Sequence, residues 1–293
     1  MTGQILHLPD GKQIIIYSLN GSFRVWDLRS GTQVGDEWED NDLWLTMALS
    51  PDGKIIASGS LDGAVRLWNI YTGKVIIALT GHEEAVRTVC WSPNGGRVVS
   101  GYLDGTFRVW NVETGKTILG PIHAGSHIIR VVCYSPNAKM IATGGAALRI
   151  WDANTGELLK TLEGVFSMCL AWTSDSKTLV AGGSKIDTAT WTVLELCNDY
   201  VNAISLFPNE RIFASTSFIN KTAQLWNFKT NTPIGTPLHR YQHNVRSATF
   251  STDGKFLVTC CDDSHIYTWD VSTIIKDAGL PSDLVSIDIL LGH

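Results

Sequence analysis

Tryptophan recurs at a nearly constant interval along this chain of 293 residues. The intervals from Trp26 to Trp68, from Trp68 to Trp110 and from Trp110 to Trp151 are 42, 42 and 41 residues. A fixed period of about 40 residues indicates a repeat architecture, in which each repeat is one small structural unit. Six short alternating segments each end in tryptophan followed by Asp or Asn: Phe23–Asp27, Val65–Asn69, Phe107–Asn111, Leu148–Asp152, Gln224–Asn227 and Tyr267–Asp270.

A gap of 75 residues separates Trp151 from the next tryptophan of the series, and this gap is long enough for one more repeat. Trp191 lies inside it but does not fit the register. The segment Asp187–Val193 matches the turn segment Asp152–Leu158 position for position. Trp191 therefore occupies a position that is a turn glycine elsewhere, and Ile186 takes the position of the tryptophan. With this assignment the chain contains seven repeats.

Turn residues recur at fixed places inside each repeat. In the second repeat, a turn at Ser50–Gly53 precedes a strand-like segment at Lys54–Ser58, and a second tight turn follows at Leu61–Gly63. After the tryptophan segment come a Thr72–Gly73 turn and a fourth apolar segment, Val75–Leu79. Proline, aspartate, asparagine and glycine favour such reversals. Four short antiparallel strands per repeat predict an all-β chain, a seven-bladed β-propeller of four-stranded antiparallel blades.

No linker-like composition interrupts the array, so we expect one propeller domain over residues 1–293. Stacking the small sheets of the blades supplies the core that no single repeat could bury. The repeats are predicted at approximately 1–36, 37–78, 79–120, 121–161, 162–197, 198–238 and 239–293.

Composition excludes several classes of function. The net charge is -5 and no basic run occurs, which argues against nucleic acid as a partner. No apolar run approaches the roughly 18 residues that span a bilayer, and the N-terminus lacks a signal-peptide pattern. We therefore expect a soluble cytoplasmic protein without a membrane partner, with the nucleus left open as a compartment. A monomer is favoured, although the sequence leaves the oligomeric state open.

The six cysteines lack the spacing of a zinc site or of a secreted disulfide framework. We expect them to be reduced, buried thiols. No nucleophile elbow, phosphate-binding loop, His-Glu-x-x-His or Cys-x-x-Cys pattern is present in the sequence. The sequence therefore predicts a non-catalytic protein without cofactor or metal.

The six Trp-Asp or Trp-Asn pairs, in register with their turns, resemble the WD-repeat family over nearly the whole chain. In that family a histidine before the first strand, a Ser or Thr in the second strand, an aspartate in the second turn and the tryptophan form a structural hydrogen-bond network. Only the third repeat matches completely, with His82, Ser100, Asp104 and Trp110. The resemblance implies a structural role for these four residues.

The fifth repeat and the C-terminus depart from the pattern. The fifth repeat has 13 residues between the first-turn hydroxyl position and the tryptophan position, where most repeats have 18. This predicts a truncated blade five with a shortened third strand around Gly182–Ile186. Residues Ser272–Ala278 predict a short helix capped by Ser272, and Val285–His293 predicts an outer strand that completes blade seven.

The resemblance also implies a binding face, since the loops before the first strand and between the second and third strands of each blade share one side around the central channel. Arg87, Arg130 and Arg246 occupy the same repeat position there, and exposed Trp, Tyr and Arg residues dominate protein interfaces. We expect an acidic or phosphorylated peptide as the ligand, or else arginines paired within their own blades. The residues placed on this face are Trp44, Leu61, Glu84, Arg87, Leu103, Arg130, Phe166, Tyr200, Asn202 and Arg246.

The leading prediction for function is a protein–protein interaction scaffold or recognition module whose partner is a protein or peptide. One alternative is a sensor module of a larger multidomain regulator. Another is a ligand-binding, carbohydrate-binding or enzymatic propeller, because fold does not determine function. This last alternative would need clustered carboxylates or metal ligands at the channel, or regularly spaced exposed aromatic residues.

Overall fold

The computed structural model describes residues 2–18, 22–39, 44–81, 84–125, 128–196, 200–217, 219–238, 244–262 and 265–286. These residues form seven antiparallel sheets, six with four strands and one with three strands within the described residues. Each sheet arises from consecutive strands of one repeat, so the sheets are the seven blades of a β-propeller. The predicted all-β, seven-bladed fold is therefore confirmed.

The first three blades lie in chain order. Blade one contains β1 (Thr2–His7), β2 (Gln13–Ser18), β3 (Ser22–Asp27) and β4 (Gln33–Glu39). Blade two contains β5 (Trp44–Leu49), β6 (Ile55–Ser60), β7 (Val65–Asn69) and β8 (Lys74–Leu79). Blade three contains β9 (Val86–Trp91), β10 (Arg97–Tyr102), β11 (Thr106–Asn111) and β12 (Thr117–His123).

The remaining four blades follow the same order. Blade four contains β13 (Val131–Tyr134), β14 (Met140–Gly144), β15 (Leu148–Asp152) and β16 (Leu158–Leu162). Blade five contains β17 (Leu170–Trp172), β18 (Thr178–Ala181), β19 (Ser184–Asp187) and β20 (Val193–Glu195). Blade six contains β21 (Val201–Leu206), β22 (Ile212–Ser217), β23 (Thr222–Asn227) and β24 (Pro233–Leu238). Blade seven contains β25 (Val245–Phe250), β26 (Phe256–Cys261) and β27 (Ile266–Asp270).

Hydrogen bonds from short polar side chains hold the first turn of each repeat. In blade two, Ser50 Oγ donates to Asp52 Oδ1 at 2.6 Å and accepts the backbone N–H of Ile55 at 2.9 Å. The bond from Ser50 is the main cause that lowers the pKa of Asp52. Equivalent hydroxyl-to-acceptor bonds occur in blades three, four, five and seven. The predicted hairpin turns therefore have a local chemical cause.

The repeat tryptophan is tied to the second strand of its own blade. In five blades the indole N–H donates to the hydroxyl of a Ser or Thr on the second strand. This Ser or Thr lies two residues after the residue that pairs with the tryptophan. A buried indole N–H without such a partner would be costly. The pairs are Trp68–Ser58 at 2.8 Å, Trp110–Ser100 at 2.7 Å, Trp151–Thr143 at 2.9 Å, Trp226–Ser215 at 2.8 Å and Trp269–Thr259 at 3.2 Å.

Blade five has all four strands, so the prediction of a truncated blade is wrong, although its third strand is short as expected. Its strands are short, at three, four, four and three residues. The missing residues come from the second turn, because Ala181 pairs with Ser184 and leaves only Gly182 and Gly183 between them. Two residues are enough to close a β-hairpin. The deletion therefore shortens the second hairpin and keeps all four strands.

The assignment of Ile186 to the tryptophan position of the fifth repeat is confirmed. Ile186 pairs with Leu179 and is 0% exposed, and the tryptophans of blades two, three and four are likewise buried. Ala181 stands where other blades carry the Ser or Thr, so the indole and its hydroxyl partner are replaced together. This replacement leaves no buried polar group without a partner. Trp191 has φ of 59°, the left-handed conformation that glycine adopts at Gly156 and Gly115.

The C-terminal region differs from the sequence prediction in two details. The predicted helix exists as α1 (Val271–Asp277), but its N-cap is Asp270, which accepts the backbone N–H of Thr273 at 2.9 Å. The expected cap, Ser272, instead donates its hydroxyl to Asp270, because the carboxylate is the stronger acceptor. A 3-10 helix at Ser282–Val285 occupies the start of the predicted outer strand, and residues 287–293 of that strand lie outside the described residues.

The chain divides into two compact units, and residues of blade one belong to both. Unit one comprises Met1–Ile16, Val25–Val34 and Asp199–His293. Inside it, β25 packs against β21 and β1, and α1 closes a core of blades six and seven through Val271 and Ile275. Unit two comprises Tyr17–Arg24 and Gly35–Asn198. Inside it, the first strands of blades two to five pack in succession.

Candidate functional site

In unit two, the loop before each first strand packs closely on the second strand of the preceding blade. Glycine follows the Ser or Thr of that strand at Gly59, Gly101 and Gly144. A Cβ at any of the three would lie less than 3.0 Å from side-chain atoms of the next blade, from Val86, Ile129 and Ser167 respectively. Glycine is therefore required because the neighbouring loop leaves no room for a side chain.

Backbone hydrogen bonds connect these loops and turns into one surface, which we call the loop rim. Leu103 N–H donates to Ala85 O at 3.3 Å, and Ile129 N–H donates to Tyr102 O at 3.2 Å. Ser167 N–H donates to Gly145 O at 3.1 Å. These bonds make the rim continuous from blade three to blade five, and blade two joins it through the close packing at its own second strand. The rim consists of Ser60–Gly63, Glu84–Val86, Tyr102–Gly105, Ile128–Arg130, Gly144–Ala147 and Val165–Ser167.

Several residues predicted for binding lie on the loop rim. Leu61 is 48% exposed in the second turn of blade two, and Phe166 is 40% exposed in the loop before blade five. Leu103 is half-buried and Glu84 is exposed. The Arg130 guanidinium lies 5.7 Å from the centroid of the Phe166 ring, which is within the range of a cation–π contact. Arg130 and Phe166 thus form one joint aromatic and cationic element.

Two further residues of unit two that were predicted for binding lie in strands next to the loop rim. Arg87 is half-buried in β9, one residue beyond the rim residue Val86. Trp44 begins β5, and its backbone faces Ser60 across the ladder. The side chain of Trp44 lies outside the described part of the chain.

The three predicted residues of unit one have different surroundings. Tyr200 is 55% exposed, and the Asn202 side-chain amide donates to Val245 O at 3.3 Å. Arg246 forms an ion pair with Asp262, and its Nη2 donates to Asp262 Oδ2 at 3.2 Å. The alternative in which an arginine pairs within its own blade therefore holds for Arg246. Sequence reasoning missed Asp262, which is adjacent to the turn aspartate position that the family pattern identifies.

The network expected in blade three contains an extra member. Ser100 Oγ lies 2.7 Å from the Trp110 indole nitrogen and 2.9 Å from the Tyr102 hydroxyl. Burial raises the pKa of Tyr102 well above its usual range, so this hydroxyl keeps its proton. Asp104 accepts the backbone N–H and the hydroxyl of Thr106, both at 2.8 Å, and thereby closes the second turn. His82, the fourth expected member, lies outside the described residues.

Two third-strand arginines differ from Arg130 because each contacts a group of its own blade. Arg66 contacts both carboxylate oxygens of Asp62, at 2.6 and 3.3 Å. Burial alone would raise the pKa of Asp62, but the bonds from Arg66 and from the Ala64 N–H lower it overall. Arg108 lies 5.8 Å from the centroid of the Trp110 ring. These contacts lie within single blades, so we interpret both arginines as structural.

Neither a metal-binding cluster nor a membrane-spanning helix occurs among the described residues. No group of three or more His, Cys, Asp and Glu side chains is placed so that it could hold a metal ion. None of the helices there has the length and apolar character needed to cross a membrane.

The chain is similar to known repeat proteins. The model of the "WD domain, G-beta repeat" family matches residues 41–69, 73–111 and 235–270. Autophagy-related protein 16 of Arabidopsis thaliana is 27% identical over 183 residues, which cover 57% of this chain and 36% of that protein. Nuclear distribution protein nudF of Emericella nidulans is 28% identical over 175 residues, covering 49% and 39%. The matches therefore span little more than a third of these relatives.

A solved structure shares the fold. One chain in the crystal structure of the mitotic checkpoint complex superimposes with a TM-score of 0.79 at 19% sequence identity. The superposition covers 88% of this chain and 84% of that chain. At this level of identity the likeness concerns the fold alone.

Proposed function

We propose that this chain, which matches the WD-repeat family model over three segments, is a non-catalytic interaction scaffold that binds a protein or peptide partner on the loop rim. Two observations support this function. The family generally supplies interaction scaffolds, and the rim carries the residue types that dominate protein interfaces. The nature of the partner and the position of its binding site are both part of the proposal.

The Arg130–Phe166 pair is the observation that carries the proposal. The aromatic ring is 40% exposed and holds the guanidinium over its face, so neither group is buried in the core. No ion pair of Arg130 is seen among the described residues. An arginine held over an aromatic ring loses little side-chain entropy when it binds, and its edge keeps N–H donors for a ligand. Leu61 and Leu103 add apolar area on the same rim.

An acidic or phosphorylated segment is the ligand that fits this pair best. Guanidinium binds carboxylate and phosphate groups through two parallel hydrogen bonds, which gives direction as well as strength. Arg246 is less suited to this role, because Asp262 already neutralises much of its charge. We therefore place the main recognition at Arg130, with Arg87 as its neighbour in the same unit.

A charge-matched capture experiment tests the proposal. A variant with Arg87→Ala, Arg130→Ala and Arg246→Ala would be compared with wild type for proteins captured from lysate and identified by mass spectrometry. The control variant carries Lys74→Ala, Lys116→Ala and Lys177→Ala, which removes the same charge at exposed positions away from the rim. We expect partners to be lost from the arginine variant, with affinity reduced at least about tenfold, and kept by the lysine variant.

Two outcomes would contradict the proposal. One is equal capture by the arginine variant and wild type, which would assign these arginines to the architecture of their own blades. The other is equal loss from both variants, which would indicate a general charge effect without a defined site. Circular dichroism of each variant establishes that the fold is intact before capture is compared.

A further inference from the structure

Two cysteines face each other across the seam between blades three and four. Cys90 in β9 and Cys133 in β13 occupy the same repeat position, two residues before the turn serines Ser92 and Ser135. Their Sγ atoms are 4.0 Å apart. Cys90 and Cys133 are half-buried residues, whereas Cys169, Cys260 and Cys261 are buried. The seam therefore contains two thiols in direct contact.

We propose that Cys90 and Cys133 form an oxidation site at which a small hydroperoxide converts the thiol pair into a disulfide that links blades three and four. A disulfide has an S–S distance of about 2.05 Å, so the sulfurs must approach by about 2 Å. That displacement is on the scale of χ1 rotation of the two side chains. Partial burial restricts access to a small oxidant such as hydrogen peroxide.

The surroundings distinguish the two thiols. The backbone N–H of Tyr134 donates to Cys90 Sγ at 3.4 Å, and the Cys133 thiol lies within hydrogen-bond distance of the same sulfur. The bond from Cys133 lowers the pKa of Cys90 against the effect of burial, and the N–H of Tyr134 adds to this lowering. The same pairing, together with burial, raises the pKa of Cys133. Because its sulfur accepts the backbone N–H of Tyr134, Cys90 is assigned as the attacking thiolate and Cys133 as the resolving thiol.

The reaction proceeds in two balanced steps. The Cys90 thiolate attacks one peroxide oxygen, the O–O bond breaks, and the departing hydroxide takes a proton to leave as water, which produces a sulfenic acid. The Cys133 sulfur then attacks the Cys90 sulfur, the S–O bond breaks, and the thiol proton leaves with the hydroxyl as a second water. Two thiols lose two electrons in total, and one peroxide is reduced to two waters.

Serine variants offer a test with little risk to the fold. Blade six carries Ser205 at the same repeat position, where its Oγ accepts the backbone N–H of Phe250 at 3.1 Å. A Cys90→Ser variant should therefore keep the equivalent bond to Tyr134. The experiment treats wild type, Cys90→Ser, Cys133→Ser and the control Cys169→Ser with hydrogen peroxide. Peptides are then mapped by mass spectrometry without reduction.

The expected result is one cross-linked peptide pair that contains residues 90 and 133, with the loss of two hydrogens. It should be present in wild type and in Cys169→Ser, absent from both other variants, and reversed by dithiothreitol. Stable sulfenic or sulfinic acid on Cys90 without the cross-link would overturn the proposal. Unreacted thiols at a peroxide concentration that oxidises free glutathione would also overturn it. The wild-type map decides the question even if a variant fails to fold.

Discussion

Replacing Trp110 with alanine is expected to lower the free energy of unfolding by about 3–5 kcal/mol, the usual cost of removing a large core aromatic side chain. Trp110 is 1% exposed and packs between blades two and three with Leu67, Leu79 and Val98. Its loss also leaves the hydroxyl of Ser100 without its indole donor. The cavity and the lost hydrogen bond act in the same direction, so this is the largest effect expected from one substitution.

Urea unfolding followed by circular dichroism measures this loss, and two further variants calibrate it. Tyr71→Ala also truncates an aromatic side chain, but Tyr71 is 76% exposed, so its cost should stay within about 0.5 kcal/mol. Ser100→Ala keeps the indole and removes the hydroxyl that bonds to the indole and to Tyr102, with an expected cost of about 1–3 kcal/mol. Similar losses for Trp110→Ala and Tyr71→Ala would mean that the repeat tryptophan does not build the core.

The second large effect is expected at Ile186, on which the count of seven blades depends. Ile186 is 0% exposed and lies in one core cluster with Ile150 and Leu162 of blade four and with Leu179 of its own blade. Truncation to alanine would leave a cavity between the two blades. Ile186→Ala should therefore lower the free energy of unfolding by about 2–5 kcal/mol, the range for truncating a buried isoleucine. The same urea unfolding experiment measures this loss.

Trp191→Gly is the matched comparison, because it removes the tryptophan that a simple motif search would place in the core. Trp191 is only partly buried and has φ of 59°. A glycine there loses some packing but relieves a left-handed conformation that costs a non-glycine residue about 1–2 kcal/mol. We expect a net change near zero in urea unfolding. A larger loss for Trp191→Gly than for Ile186→Ala would contradict the seven-repeat register.

The blades could be predicted from the sequence because their causes are local. A turn hydroxyl, an aspartate or asparagine two residues later and a glycine close the first hairpin without help from distant residues, as Ser50 and Asp52 do. The same holds for Trp191, whose place in a turn follows from its neighbours in sequence. Local chemistry of this kind repeats, and repetition makes it visible.

Other features depend on contacts that no repeat pattern contains. Blade five keeps its four strands because Gly182 and Gly183 close its second hairpin as a two-residue turn. A count of residues does not reveal that so short a turn can form. The helix cap is Asp270 and not Ser272 because two neighbouring acceptors compete and the carboxylate is stronger. The ion pair of Arg246 with Asp262 joins residues 16 positions apart across a hairpin.

The binding surface was only partly predictable for the same reason. Repeat position placed Arg87 and Arg130 in the loops before the first strands of their blades; Arg130 lies in that loop, whereas Arg87 lies in β9. The contact of Arg130 with Phe166 crosses from blade four to blade five, and it depends on how closely the loops approach. Glycines such as Gly144 allow this approach. The reason for glycine at this position is visible only when the packing of the neighbouring loop is known.

Site-specific photo-crosslinking tests partner binding on the loop rim most directly. A photoreactive amino acid would replace Leu61 on the rim, which is 48% exposed, or Leu159 on the outer strand β16, which is 50% exposed. The two positions match in residue type and exposure and differ in location. We expect partner proteins to cross-link through position 61 and not through position 159. Cross-linking that is equal at both positions, or stronger at position 159, would contradict binding on the rim.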